Sequence, residues 1–96
     1  MSKPPSAARE IVLLPGCLQD LAHWVATDRA TALKVLTLIE LASRDPLGGI
    51  GKPELLKHLG SGYMSRRISQ EHRLVYRVVG QTIQFLSARF HYDQQK

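Results

Sequence analysis

One stretch of the chain, ISQEHRLVYRVVG (residues Ile68 to Gly80), crowds ionisable groups into a strand-forming run. Leu74, Val75, Tyr76, Val78 and Val79 favour a strand and Gly80 closes it, yet Glu71, His72, Arg73 and Arg77 lie in or beside it. Further on, ARFHY adds Arg89, His91 and Tyr92, and Glu54 stands in a Gly/Pro-rich stretch upstream. Cleaving RNA at its own 2′-hydroxyl needs a base for that hydroxyl, a cation for the crowded phosphate and an acid for the leaving 5′-oxygen. Glu54 or Glu71, Arg73 and His91 are residue types fitted to those three tasks. Spacing alone also allows a solvated loop carboxylate and a structural ion pair, and both readings stand at this point.

The elements that must position these groups fit one small domain. Ninety-six residues with 44% apolar content suffice for one core and argue against disorder. No apolar run reaches the ~18 residues that span a bilayer, and MSKPPSAARE has no signal-peptide apolar region. The single cysteine, Cys17, leaves a cytoplasmic location as the default. Cys/His clusters with ligand spacing are absent, so no metal and no cofactor are expected.

The net charge of +5 is unevenly placed. Up to Gly48, five Lys/Arg balance five Asp/Glu; from Gly49 on, eight Lys/Arg face three Asp/Glu. A basic half beside a neutral one points to a phosphate-bearing partner.

Residues 1–9 read as a flexible leader, 10–92 as the domain and 93–96 as a short tail. Glu10 to Leu14 reads as an apolar strand ended by Pro15 and Gly16. CLQDLAHWVAT has helical spacing, and Asp28 is a good N-cap for a second helix, RATALKVLTLIELASR. That helix is apolar on two sides, so it either sits deep or has a partner for its second face. DPLGGIGKPE reads as a loop and LLKHLGSG as a link. YMSRRIS, HRLVYRVVG and TIQFLSARFHY follow as strands close enough for antiparallel hairpins. The class is α+β, an N-terminal strand and two-helix hairpin packed on a curved, mostly antiparallel sheet.

Strand parity places Arg73, Val75 and Arg77 on one face and His72, Leu74, Tyr76 and Val78 on the other. Ser87, Arg89 and His91 share a face opposite Leu86, Ala88 and Phe90, and Tyr63, Ser65 and Arg67 alternate likewise. The helices need the apolar faces, which leaves a basic face carrying Arg67, Arg73, Arg89 and His91; one bulge would reverse part of it. With Tyr63 and Tyr92 as stacking platforms, it suits single-stranded RNA better than duplex DNA.

The block GKPELLKHLGSGYMSRRISQEHRLVYRVV, followed by ARFHY, resembles the YoeB/Txe toxins of the RelE superfamily. The resemblance runs from Gly51 to Tyr92 and extends more loosely upstream through Trp24 and Asp28. It implies a RelE-like fold and a ribosome-dependent mRNA interferase that cuts in the A site of the 70S ribosome. It also implies silencing by an acidic, partly disordered antitoxin of the YefM/Axe kind. By position, Glu54 of GKPE becomes the general base, Arg73 the phosphorane-stabilising cation and Glu71 the group orienting Arg73. His91 becomes the general acid and Tyr92 positions the RNA, while Lys52, Lys57, Arg66 and Arg67 grip phosphates.

The sequence departs from the pattern in places. It continues past Tyr92 with DQQK, has Tyr63–Met64 where Phe-Trp is common, and carries a longer leader. A homodimer through the apolar second helix is compatible with the sequence; membrane binding is not expected. The alternative is a catalytically silent RelE-fold module that binds RNA or a partner.

Overall fold

The computed structural model describes residues 9–49, 51 and 53–90; the leader apart from Arg9, the tail, Lys52, His91 and Tyr92 lie outside them. The element order is β1 (Glu10–Leu13), α1 (Pro15–Thr27), α2 (Arg29–Arg44), β2 (Glu54–Leu55), a 3-10 turn (Lys57–Leu59), β3 (Tyr63–Arg67), β4 (Arg73–Val79) and β5 (Thr82–Ser87). The five strands form one sheet in the order β1-β5-β4-β3-β2. β1 runs parallel to β5, and every other pairing is antiparallel.

Pro15 and Gly16 do not separate the first strand from the helix. They form the helix's first turn, where proline's fixed φ fits and its missing N–H would be unpaired anyway. The second helix begins where its cap predicts. Asp28 Oδ1 accepts from the Thr31 N–H at 3.2 Å and Oδ2 from the Thr31 hydroxyl at 2.8 Å. These two bonds favour the ionised carboxylate and lower its pKa.

Trp24 from α1 and Ala32, Val35, Leu38, Ile39 and Ala42 from α2 pack on Leu74, Tyr76, Ile83 and Phe85 of the sheet. Full burial of a residue such as Leu38 stabilises by about 1.5–3 kcal/mol, and Leu38→Ala would cost about 2–5 kcal/mol once the cavity is included. The two apolar sides of α2 both divide: Leu38 is enclosed while Leu33 beside it is exposed, and Leu36 is exposed although Val35 and Ile39 are buried; Leu18 and Val25 on α1 are exposed too.

The β4–β5 hairpin turns at Gly80–Gln81. Gly80 takes φ 58°, the left-handed value required at the first position of such a two-residue loop. Further along, Val75 pairs with Ser87 but Tyr76 pairs with Phe85, which makes Leu86 the extra residue of a β-bulge. The bulge corrects the parity reading of the last strand: Ile83 and Phe85, not Leu86, face the helices. It also returns Ser87 to the side of Val75, on the face away from the core.

Candidate active site

Directly opposed residues of neighbouring strands share a sheet face, so the register defines the helix-free side. Arg67 lies opposite Arg73, Ser65 opposite Val75, Tyr63 opposite Arg77 and Glu54 opposite Ser65. Glu54 was expected in a loop. It instead begins a two-residue strand after Pro53, too short to show any alternation in the sequence.

The short strand brings the Glu54 carboxylate to Arg73, with Oε1 3.1 Å from Nη2. The two partners differ in environment. Arg73's side chain is 7% exposed and Glu54's is 59% exposed, so a desolvated cation meets a wet carboxylate. Arg73 Nε donates to Ser65 Oγ at 2.8 Å, and Ser65 is fully enclosed. Two bonds in different directions fix the planar guanidinium. Val75 and Leu56 are also buried, so the middle of this face is covered and its access lies toward Glu54 and Arg67.

Arg67 is exposed at the end of β3, and its backbone N–H donates to the Gly51 carbonyl at 2.6 Å. Gly51 has φ 92°, and a Cβ there would come within 3.2 Å of the Arg67 carbonyl, so glycine lets the backbone at this point lie against β3. Beside Arg67 opens a cavity of about 310 Å³, bordered by Lys34 of α2 and the turn after β3. At the other end of the face, the Arg77 guanidinium stands 5.1 Å over the Tyr63 ring. Lys57 is exposed in the 3-10 turn, and Arg89 lies 4.6 Å over the Phe90 ring.

Two expected site residues stand elsewhere. Arg66, expected on the phosphate-gripping rim, lies opposite Leu74 on the helix side and is completely buried. Its Nη2 donates to the Asp45 carbonyl at 2.6 Å and its Nε to the Tyr76 hydroxyl at 3.2 Å. The Tyr76 hydroxyl in turn donates to the Pro46 carbonyl at 2.7 Å. Arg66 therefore ties the loop after α2 to the sheet. Glu71, expected to orient Arg73, is 82% exposed and lies 4.0 Å from His72 Nε2; Glu54 and Ser65 hold Arg73 instead. Lys52, His91 and Tyr92 lie outside the described residues.

Sequence reasoning missed the group that holds the chain just ahead of His91. Asp20 Oδ2 accepts from the Ala88 N–H at 2.9 Å, and Trp24 Nε1 donates to the Ala88 carbonyl at 2.8 Å. The Phe90 N–H donates to His72 Nδ1 at 2.7 Å, and the Phe90 carbonyl accepts from the Arg73 N–H at 3.3 Å. Ser65 was placed on the correct face by parity but not assigned a role. His72 and Trp24 stand out in the sequence, in the charged run and in the upstream resemblance, but neither is given a role there, and Asp20 carries no signal beyond a polar residue beside apolar ones.

A family model described as the YoeB-like toxin of bacterial type II toxin-antitoxin system matches residues 14–92. Toxin YoeB of Mycobacterium bovis is 48% identical over 84 residues, covering 88% of this chain and 99% of that one. Among solved structures, the YoeB dimer from Staphylococcus aureus matches with a TM-score of 0.81 and 39% identity, over 90% of this chain and 100% of the other. A heterotetrameric complex of YoeB-YefM toxin-antitoxin from the same organism contains a chain that matches with a TM-score of 0.75 and 39% identity. That match covers 90% of this chain and 100% of the other.

Proposed function

The chain belongs to the YoeB-like toxins of bacterial type II toxin–antitoxin systems, a family of ribonucleases, and from that premise we propose a ribosome-dependent mRNA endoribonuclease that cuts message in the A site. The observation that carries this reading is the 3.1 Å approach of Glu54 to an Arg73 already fixed by Ser65. A base and an anion-binding cation then meet at one point on a helix-free sheet face. A catalytically silent binding module would use the same pair only as a structural tie, and Glu54→Gln separates a tie from a base.

In the reaction, the scissile phosphate takes its place on Arg73, and the displaced Glu54 carboxylate faces the neighbouring 2′-hydroxyl. Glu54 removes that proton as the 2′-oxygen bonds to phosphorus. Arg73 stabilises the extra negative charge of the phosphorane, in a site shielded enough to make that attraction strong. His91 gives a proton to the 5′-oxygen as its bond to phosphorus breaks, and Tyr92 orients the RNA. The products are a 2′,3′-cyclic phosphate, which water opens to a 3′-phosphate, and a 5′-hydroxyl. Acid, base and cation are all side chains, so the chemistry assigns no task to a metal.

Arg67, Lys57, Lys52, Arg89 and Tyr63 contact the flanking RNA, with the cavity between Arg67 and Lys34 giving room for a neighbouring nucleotide. An acidic antitoxin segment covers the same cations. The exposed Leu18, Val25, Leu33 and Leu36 supply an apolar surface for the antitoxin or a second copy.

The test is cleavage of a defined message on programmed 70S ribosomes, with the new ends identified chemically. Wild type should leave a 5′-hydroxyl in the A site, while Glu54→Gln and His91→Ala should bind ribosomes and fail to cut. Binding without cleavage by wild type would favour the silent module.

A further inference from the structure

His72 sits where three parts of the fold meet. Its ring stands edge-on to Trp24 of α1 at 4.8 Å and tilts against Phe90, beyond β5, at 5.6 Å. Its Nδ1 receives the Phe90 N–H at 2.7 Å. A backbone N–H can only donate, so Nδ1 must offer a lone pair, and the ring is neutral with its proton on Nε2. Nε2 lies 4.0 Å from Glu71 Oε1.

The backbone held in this way is strained. Phe90 has φ 64°, a left-handed value that is costly for an aromatic residue and persists only when its surroundings over-determine it. Asp20 and Trp24 fix Ala88, two residues earlier, while His72 and the Arg73 N–H take both peptide groups of Phe90. The Phe90 carbonyl, held on Arg73, opens the peptide bond to His91. The same Arg73 carries the guanidinium at Glu54.

We propose that His72 is a positioning residue that works only in its uncharged form: its Nδ1 lone pair sets the Phe90 backbone, and protonation of that nitrogen releases it. The inference rests on the ribonuclease reading, since what it positions is the residue assigned as the acid. An Nδ1–H would point at the Phe90 N–H, so gaining the proton and keeping the bond exclude each other. Among the described residues, Glu71 on its own turn stands 4.0 Å from the ring's Nε2, and the elements packed against the ring carry Asp20 and His23 on α1, Arg73 on β4 and Arg89 beyond β5.

Two substitutions separate the acceptor from the ring. Asparagine places a carbonyl oxygen near the position of Nδ1 and cannot gain a proton, while leucine fills space without accepting. On programmed ribosomes, His72→Asn should cut within about threefold of wild type at neutral pH. It should also lose the part of the acid-side decline that follows His72 protonation in wild type. His72→Leu should lose about 10²-fold in single-turnover rate across the pH range, the scale of a small misplacement at a reacting centre, with ribosome binding unchanged. In wild type, the Phe90 amide resonance should move with the His72 titration in nuclear magnetic resonance spectra; in His72→Asn it should not.

A His72→Leu protein that cuts like wild type overturns the proposal, and so does a His72→Asn protein as slow as leucine with its Phe90 amide still bonded. A wild type that cuts nothing overturns the ribonuclease reading, and with it any positioning role in cleavage. Even then, the Phe90 amide reports separately whether His72 holds this backbone, and indifference to His72 protonation would overturn the clamp itself.

Discussion

Glu54 and Arg73 lie on strands that are not neighbours in the sheet, with β3 between them, and their side chains still meet at 3.1 Å. The guanidinium spans that gap because Ser65, on the intervening strand, takes its Nε. Removing the carboxylate's charge by Glu54→Gln keeps the shape and removes the proposed base. Cleavage should fall by about 10²–10⁴-fold, the usual contribution of a positioned base. Because the carboxylate is largely solvated, thermal stability should change little by comparison. A rate unchanged by Glu54→Gln would remove Glu54 from the base's role.

Arg67 and Arg73 occupy directly opposed positions in β3 and β4, so two cations face each other across the ladder. Opposed like charges destabilise a sheet, by up to about 1 kcal/mol. An RNA phosphate between them would relieve that repulsion. Arg67→Gln is therefore expected to leave the melting temperature unchanged or raise it slightly. The same variant should weaken ribosome-bound RNA engagement and reduce the slope of log affinity against log salt by about 0.7–0.9. A variant that melts early and keeps the wild-type salt slope would assign Arg67 to the fold instead.

Arg66 and Arg67 show how much of the site was legible in the sequence. The alternation that places Arg67 outward with Ser65 and Tyr63 also places Arg66 inward with Met64 and Ile68, so the burial of Arg66 was readable. Position in a basic motif outweighed that parity. Asp28 and the second helix were legible because a cap and a 3.6-residue period are local signals. β2 was not, since two residues carry no period and depend on pairing with Met64 and Ser65. Nor was the bulge at Leu86, which trades one apolar residue for its neighbour. The bond from Phe90 to His72 joins residues 18 apart in sequence, and neither residue type specifies it.

Arg66→Met tests the structural role directly. Methionine keeps much of the volume but leaves the Asp45 carbonyl and Tyr76 hydroxyl without the donor they now have. Each hydrogen bond lost from a charged group costs about 1.5–3 kcal/mol, so denaturant unfolding should show a loss of several kcal/mol. Below its new melting temperature the variant should still cut, with its salt dependence intact. Selective loss of RNA binding in a protein of normal stability would return Arg66 to the RNA-contacting group.

Cys17 gives the fold a dependence on alkaline pH that has nothing to do with RNA. It is completely enclosed on α1, and burial, reinforced by the nearby Asp20 carboxylate, pushes its thiol from 9.0 up to about 12. In the folded chain the thiol keeps its proton where the unfolded chain gives it up. The folded pKa is the higher one, so its contribution is fully present below pH 9 and is lost as pH rises from about 9 toward 12. The decline should be on the order of 1 kcal/mol per pH unit in that window. Burial raises the Tyr76 hydroxyl above its ordinary 10.0 as well, and its share of the decline starts about one unit later. Denaturant unfolding of wild type and Cys17→Ala between pH 8 and 11 separates the two: alanine should lower stability at pH 8 through lost packing, then flatten the first part of the slope. Parallel curves for the two proteins would mean that Cys17 ionises as readily folded as unfolded, contrary to its complete burial in the core.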